Sequence, residues 1–279
     1  ESYADVFDEN NQNNAEVIWA IQYGTDKEYA GGGNPQQALF GINLTALEPD
    51  IFIREQEDYS AMQRLYWIIP EVHELFTDPD MDARYDATFQ REIYVNNPES
   101  EYLGQLGIYY PKWNDESGDD KGAVNFLPYR MDGEYVWYPQ STALEILQTG
   151  SDRMPLLKKF KDTQMQWGGP GTREDVVFRL GDTYLLAAEA YLGAGEAGTA
   201  LERLNAIRRR AAVDVSMQPG MELDAISMDV ILDERARELL GEHDRWFDLK
   251  RTGKLIERAY LNNIFVQKYN NLNVNHLLR

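Results

Sequence analysis

The chain has 279 residues with 47 acidic and 27 basic side chains, a net charge of −20, 43% hydrophobic and 12% aromatic content, and no cysteine. Such a composition supports a packed core, and the negative field repels phosphate backbones, which argues against nucleic acid as a partner. Disulfides, thiolate nucleophiles and cysteine–zinc sites are excluded, and no apolar run is long enough for a transmembrane helix.

The opening "ESYADVFDENNQNN" has no basic, apolar or cleavage region of a targeting peptide, and the closing "NHLLR" carries no terminating signal. Both ends read as cuts inside a longer chain. "EVIWAIQYG" (Glu16 to Gly24) is β-branched and aromatic and reads as a strand, followed by a Gly-rich loop, "AGGGNPQQ". Met62, Leu65, Tyr66 and Ile69 step at helical spacing up to a break at Pro70, with a short helix expected around Val72 to Phe76. Residues 78–95 begin as a turn or short helix and end extended. From Asn96 to Gln140 the chain is loop-rich and dense in aromatics, among them Tyr109, Tyr110, Trp113, Trp137 and Tyr138.

After the connector "WGGPGTRED" the chain reads as helical from Val176 onward. One helix carries Leu180, Tyr184, Ala187, Ala188, Tyr191 and Leu192 on a stripe, and a second aligns Ala200, Leu201, Leu204, Ile207 and Ala211. Together they form a tight helical hairpin that matches the tetratricopeptide pattern, with Ala188 in place of the usual Gly and no terminal Pro. A lone repeat cannot bury its own face, so partner helices must come from elsewhere. The predicted fold is mainly α: a tetratricopeptide-like superhelix over residues 171–279, joined in one structural unit to an irregular, loop-rich half over 1–170 with short strands.

The stretch "ILDERARELLGEHDRWFDLKRTGKL" (Ile231 to Leu255) crowds Glu234, Glu238, Glu242, His243 and several arginines together. Ser227 is the expected N-cap, Gly241 a bend and Gly253 a stop. Two carboxylates could hydrolyse a glycoside, but arginines at neighbouring helical positions hold carboxylates ionised, which is wrong for a general acid. The stretch is therefore read as a helix held by ion pairs along its own surface and anchored by buried Trp246 and Phe247. No catalytic residue is assigned. His73, His243 and His276 lie far apart and show no metal-ligand spacing. The acidic loop "DESGDDKG" (Asp115 to Gly122) lacks the ligand order of an EF-hand, so calcium is unsupported there and no cofactor is assigned.

The aromatic loops are the better binding candidate. Flat rings stack on the C–H faces of sugars, and the Asn, Asp and Gln of "YYPKWND" and "YVWYPQ" can hydrogen-bond the hydroxyls.

"PLLKKFKD" (Pro155 to Asp162), "TREDVVFRLGDTYLLAAEAYLGAG" (Thr172 to Gly195), "ALERLNAIRRRA" (Ala200 to Ala211) and "ILDERARELLGEHDRWFDLKRTG" (Ile231 to Gly253) carry a resemblance. In their order and spacing the chain resembles the RagB/SusD family of nutrient-uptake outer-membrane lipoproteins of Bacteroidota. It is similar to the C-terminal half of such a protein. The resemblance implies a tetratricopeptide-based scaffold that is lipid-anchored at the cell surface, through an anchor missing from this chain. It implies a lid on a SusC-type TonB-dependent transporter that captures glycans, or peptides in some members, and does no catalysis. Tyr110, Trp113, Trp137 and Tyr138 are the nominated glycan-stacking residues, from the region that resembles the ligand-facing part. The rival readings are a helical-repeat adaptor for another protein and, behind it, a glycoside hydrolase.

Overall fold

A computed structural model of the chain describes residues 2–24, 33–40, 50–53, 66, 68–110, 112, 155–165, 171–263 and 266. Before residue 171 the elements are short: α1 (Tyr3–Val6), β1 (Val17–Ile21), α2 (Gln36–Leu39), α3 (Pro70–Glu74), α4 (Ala83–Thr88), β2 (Phe89–Gln90), β3 (Glu92–Tyr94), β4 (Leu106–Tyr109) and β5 (Leu156–Leu157), the last running into a 3-10 turn, Lys158–Phe160. After it come β6 (Asp175–Arg179), α5 (Leu180–Gly193), α6 (Ala197–Ala211), a 3-10 turn (Val215–Met217), α7 (Gln218–Met221), α8 (Met228–Glu238), α9 (Arg245–Arg251) and α10 (Leu255–Asn262). The molecule is mainly α with short strands, as the sequence implies.

The strands form three two-stranded antiparallel pairs, β1 with β6, β2 with β5 and β3 with β4. The pairing of β1 with β6 corrects the sequence reading, in which residues 176–179 were expected to be helical. Val176, Val177 and Phe178 form a β-branched and aromatic run that suits a pleated strand. Arg179, still extended at φ −143°, ends the strand and caps α5. The consequence is a shifted stripe. Gly181, Asp182, Leu185 and Ala188 are the buried residues of α5, while Leu180 is exposed.

The hairpin of α5 and α6 forms as expected. Leu185, Ala188, Leu204 and Ile207 pack with Ile231 of α8 into one core cluster. A second cluster, Ile68, Phe76, Tyr85, Phe89, Leu157 and Phe160, lies under β2 and β5. Ring pairs bind it together, with Phe76 and Phe89 meeting edge-on at a centroid distance of 5.8 Å.

Ser227 caps α8 by accepting from the Val230 N–H at 3.2 Å, as the sequence suggests. The expected bend at Gly241 is instead a full break. Gly241 (φ 79°) and His243 (φ 72°) both take left-handed backbone, and the chain restarts as α9 after them. A side chain at Gly241 would sit 2.5 Å from the Phe160 ring, so only glycine lets the turn press onto the second core cluster. Gly253, at φ 72°, closes α9. The break turns the Trp-Phe pair outward. Trp246 and Phe247 are 48% and 67% exposed, so they are not the buried anchor that the sequence suggested.

Candidate functional site

Two places could carry chemistry: the carboxylate-rich α8, and the root of the aromatic segment. The structure decides the first. Glu234 and Glu238 are wholly buried, and their partners come mostly from other elements rather than from their own helix. Arg84 of α4 holds both oxygens of Asp82 at 2.9 and 2.7 Å. The same guanidinium reaches Glu234 at 2.6 Å and Glu238 at 3.0 Å. Arg179 holds Glu242 at 2.7 Å, Glu16 at 2.7 Å, Glu238 at 2.6 Å and the Glu238 carbonyl at 2.7 Å. Arg208 reaches Glu234 at 2.8 Å, and Arg210 bridges Glu16 and Glu238. Lys159 pairs with Glu242 while its ammonium sits 4.3 Å from the centre of the Phe7 ring. Gly181 makes room for this network, since a Cβ there would lie 2.3 Å from an Arg179 terminal nitrogen.

Burial opposes the charge on Glu234 and Glu238, but the surrounding guanidinium groups outweigh it and hold both carboxyls well below the ordinary carboxylate range. Glu242 is lowered in the same way by Arg179 and Lys159. Burial brings Lys159 down to about 8 and, aided by Glu238, pushes the Tyr3 phenol well up. Ionised at neutral pH and closed off from solvent, these carboxylates can neither donate a proton nor meet a substrate, so this cluster is an internal brace. Only the Glu234–Arg237 contact at 2.6 Å is the within-helix type of pair expected for this segment of α8.

The arginine partners went unnoticed in the sequence because they lie far away along the chain, Arg84 being separated by 150 residues from Glu234. One local signal was available. Arg208 falls between Ile207 and Ala211 on the buried side of α6, where a lone charge needs a partner.

His73 is buried against Tyr85, 3.1 Å from its hydroxyl, and burial brings the imidazole down to about 3. The exposed His243 meets Gln36 at 3.1 Å. His276 and the acidic loop 115–122 lie outside the described residues. Among the described residues no three potential ligands gather to hold a metal ion.

The second place is organised by backbone pairing. The aromatic segment leaves the described structure after β4 and re-enters it at Pro155, just before β5. Both roots rest on the same stretch of chain. β4 pairs with β3 in the register Glu92↔Tyr109, and β5 pairs with β2 in the register Phe89↔Leu157. Residues 89–94 therefore pair with the described chain on both sides of the aromatic segment. Arg91, between the two strands, accepts the Tyr110 N–H on its carbonyl at 2.8 Å and returns a guanidinium bond to the Tyr110 carbonyl at 3.3 Å.

Of the four nominated stacking residues, only Tyr110 is described. It is buried, with 2% of its surface exposed, so its ring sits inside the root rather than on a surface. Trp113, Trp137 and Tyr138 lie outside the described residues.

Beside the root opens a cleft of about 470 Å³. Phe7, Asp86, Lys158, Lys159, Lys161 and Arg173 are among the residues that line it. Its size is that of a small-ligand pocket.

Comparison with known proteins places the chain. The sequence model of the SusD family matches residues 15–276. SusD-like protein P25 of Formosa agariphila is 24% identical over 276 residues, spanning 92% of this chain and 43% of that protein. SusD-like protein P38 of the same organism is 37% identical over 89 residues, 29% of this chain and 18% of that protein. A laminarin-binding SusD-like protein of known structure superposes with a TM-score of 0.55 and 24% identity, over 94% of this chain and 47% of that one. Surface glycan-binding protein A of Bacteroides thetaiotaomicron, solved with laminarihexaose, gives a TM-score of 0.52 and 19% identity, over 91% and 46% of the two chains. The chain thus spans about half the length of such relatives. By its sequence match and its fold, the chain belongs to the SusD family.

Proposed function

We propose that this chain is part of a cell-surface glycan-binding protein that hands oligosaccharides to a SusC-type TonB-dependent transporter. It acts by binding, without catalysis, at the outer membrane, and the membrane is reached through a lipid anchor outside this sequence. Family membership carries the reading, and the paired root of the aromatic segment supports it. Binding of laminarin-type glucans by two structural neighbours fits the same ligand class. Among the described residues no helix is long and apolar enough to cross a membrane.

Within this reading Trp113, Trp137 and Tyr138 supply the stacking faces. Tyr110 fixes the point from which the segment departs.

The test is calorimetry and tryptophan fluorescence with a panel of oligosaccharides, laminarihexaose among them, followed by Trp113→Ala and Trp137→Ala. Binding weakened by either substitution, with no reducing ends released, is the expected result. Release of sugar would turn the reading to a hydrolase. Binding of peptides but of no glycan would turn it to a peptide-capturing member of the family or to an adaptor.

A further inference from the structure

The cleft beside the aromatic root carries an uneven set of charges. Its lining is mostly self-satisfied. Lys159 is matched by Glu242, and Asp86 accepts from Arg91 at 2.8 Å. Both oxygens of Glu9 are taken by the Thr163 hydroxyl, at 3.0 and 2.9 Å. The Arg173 guanidinium donates to the carbonyls of Lys161 at 2.8 Å and Phe7 at 2.6 Å. Asp8 accepts from the Asn10 backbone at 2.8 Å.

Lys158 differs. It is half-buried on the cleft wall, yet among the described residues its ammonium makes no ion pair and no hydrogen bond. Burial lowers its pKa, the sign of an ammonium that has lost water without gaining an adequate counter-charge. Of the charges around it, Asp86 and Glu92 favour the ammonium while Arg91 and Lys161 oppose it. In a chain with 47 acidic and 27 basic side chains, a carboxylate partner would be easy to supply. Lys158 also follows β5 directly, and Asp86 belongs to the helix that runs into β2, so the cleft adjoins the β2–β5 root of the aromatic segment.

Resting on the glycan-binding reading above, we infer that this cleft receives an anionic substituent of the bound glycan, with Lys158 as its counter-ion. The shared chemistry is an anionic oxygen group on a sugar, either a uronate carboxylate or a sulfate ester. A desolvated ammonium gains most from such a group, because the anion restores the interactions that burial removed.

The experiment is calorimetry on the full chain with three probes: neutral laminarihexaose, an oligogalacturonate and a sulfated galactan oligosaccharide. Each is measured against wild type, Lys158→Met and Lys158→Arg, with thermal melting to show that the variants stay folded. The expected result is that one acidic probe binds wild type and that Lys158→Met weakens it about tenfold or more, the scale of one lost charge-assisted hydrogen bond. Lys158→Arg retains most of the affinity, and which acidic probe binds tells carboxylate from sulfate. The inference is overturned if only the neutral probe binds, or if Lys158→Met binds the acidic probe as wild type does. If no glycan of the wider panel binds at all, the function proposed above falls with it.

Discussion

The α5–α6 hairpin and α8 share one core cluster, yet opposite physics holds them. The hairpin is apolar where it matters: Leu185, Ala188, Leu204 and Ile207 fill its interior. Beyond Ile231 and Leu232, α8 buries Glu234, Arg235, Arg237 and Glu238, and meets its neighbours through arginines. The hairpin gains its stability from area removed from water. The helix gains position instead. A buried ion network returns little net stability over an apolar replacement, but it is expensive to break at one point. Arg84 and Arg179, by ion pairs, and Lys159, by a bond to the Glu238 carbonyl, also tie α8 to elements on the far side of the sequence, including the 3-10 turn that continues from the aromatic root.

Breaking the ionic side should give the largest effect. Glu238→Ala removes the one carboxylate that Arg84, Arg179 and Arg210 all share. A loss of about 3–5 kcal/mol is expected from urea unfolding, the scale of a buried pair broken at one end. A loss below about 1 kcal/mol would mean that water enters the site and the network carries little.

Acid sharpens the same contrast. Glu234, Glu238 and Glu242 have folded pKa values below the ordinary glutamate value of about 4.5, so the unfolded chain binds more protons as pH falls. Their contribution is complete above that value and is lost as pH drops below it toward the folded values. Asp244 acts in the opposite direction. Burial, with help from Asp182, pushes its carboxyl up to about 6, so between pH 6 and 4 its protonation favours the folded chain. Burial holds His73 down to about 3, so stability is lost once the unfolded imidazole protonates below about pH 6.5. Stability should therefore decline from near neutrality, offset in part by Asp244, and fall more steeply below about pH 4.5 as the three glutamates are lost. A stability curve that stays level below pH 4 would sink the network account.

Leu204→Ala tests the apolar side. Leu204 is fully buried, and removing it should cost about 2–4 kcal/mol through lost transfer energy and a cavity. No titrating group takes part, so the loss should be the same at pH 7 and pH 5. Any strong pH dependence would show that the two sides are not separate.

The hairpin was legible in the sequence and the ionic brace was not, for a physical reason. A three-to-four spacing of Ala200, Leu204, Ile207 and Ala211 reports a buried face directly, because apolar side chains share one helix stripe whichever residues cover them. Charges carry no such label. Glu234 and Glu238 would look the same on a solvated surface, and partners elsewhere in the chain, Arg84 and Arg179 among them, make them internal. Strand β6 was missed because its partner, β1, lies more than 150 residues earlier, and a short apolar run before a helix reads as part of it. The candidate site was legible only in composition. The aromatic segment is visible in the sequence, but its two roots meet through pairings with residues 89–94 that no local pattern announces.

The smallest effect should come from Trp246→Ala, and it bears on how such sequences are read. A Trp-Phe pair inside a helical charge pattern suggests a buried anchor worth several kcal/mol. The break at Gly241 and His243 rotates that pair out of the expected stripe, and Trp246 ends up 48% exposed. Leu249 and Asp248 face inward instead, with Asp248 held by Arg235 at 2.5 Å. The helix is thus fixed by Leu249, packed with Leu232 and Leu255, and by Asp248, and truncating the indole should change stability by about 1 kcal/mol or less, within the range of a surface site. A loss above about 3 kcal/mol would show that the indole is covered in the folded protein and that α9 is anchored as its sequence first suggests.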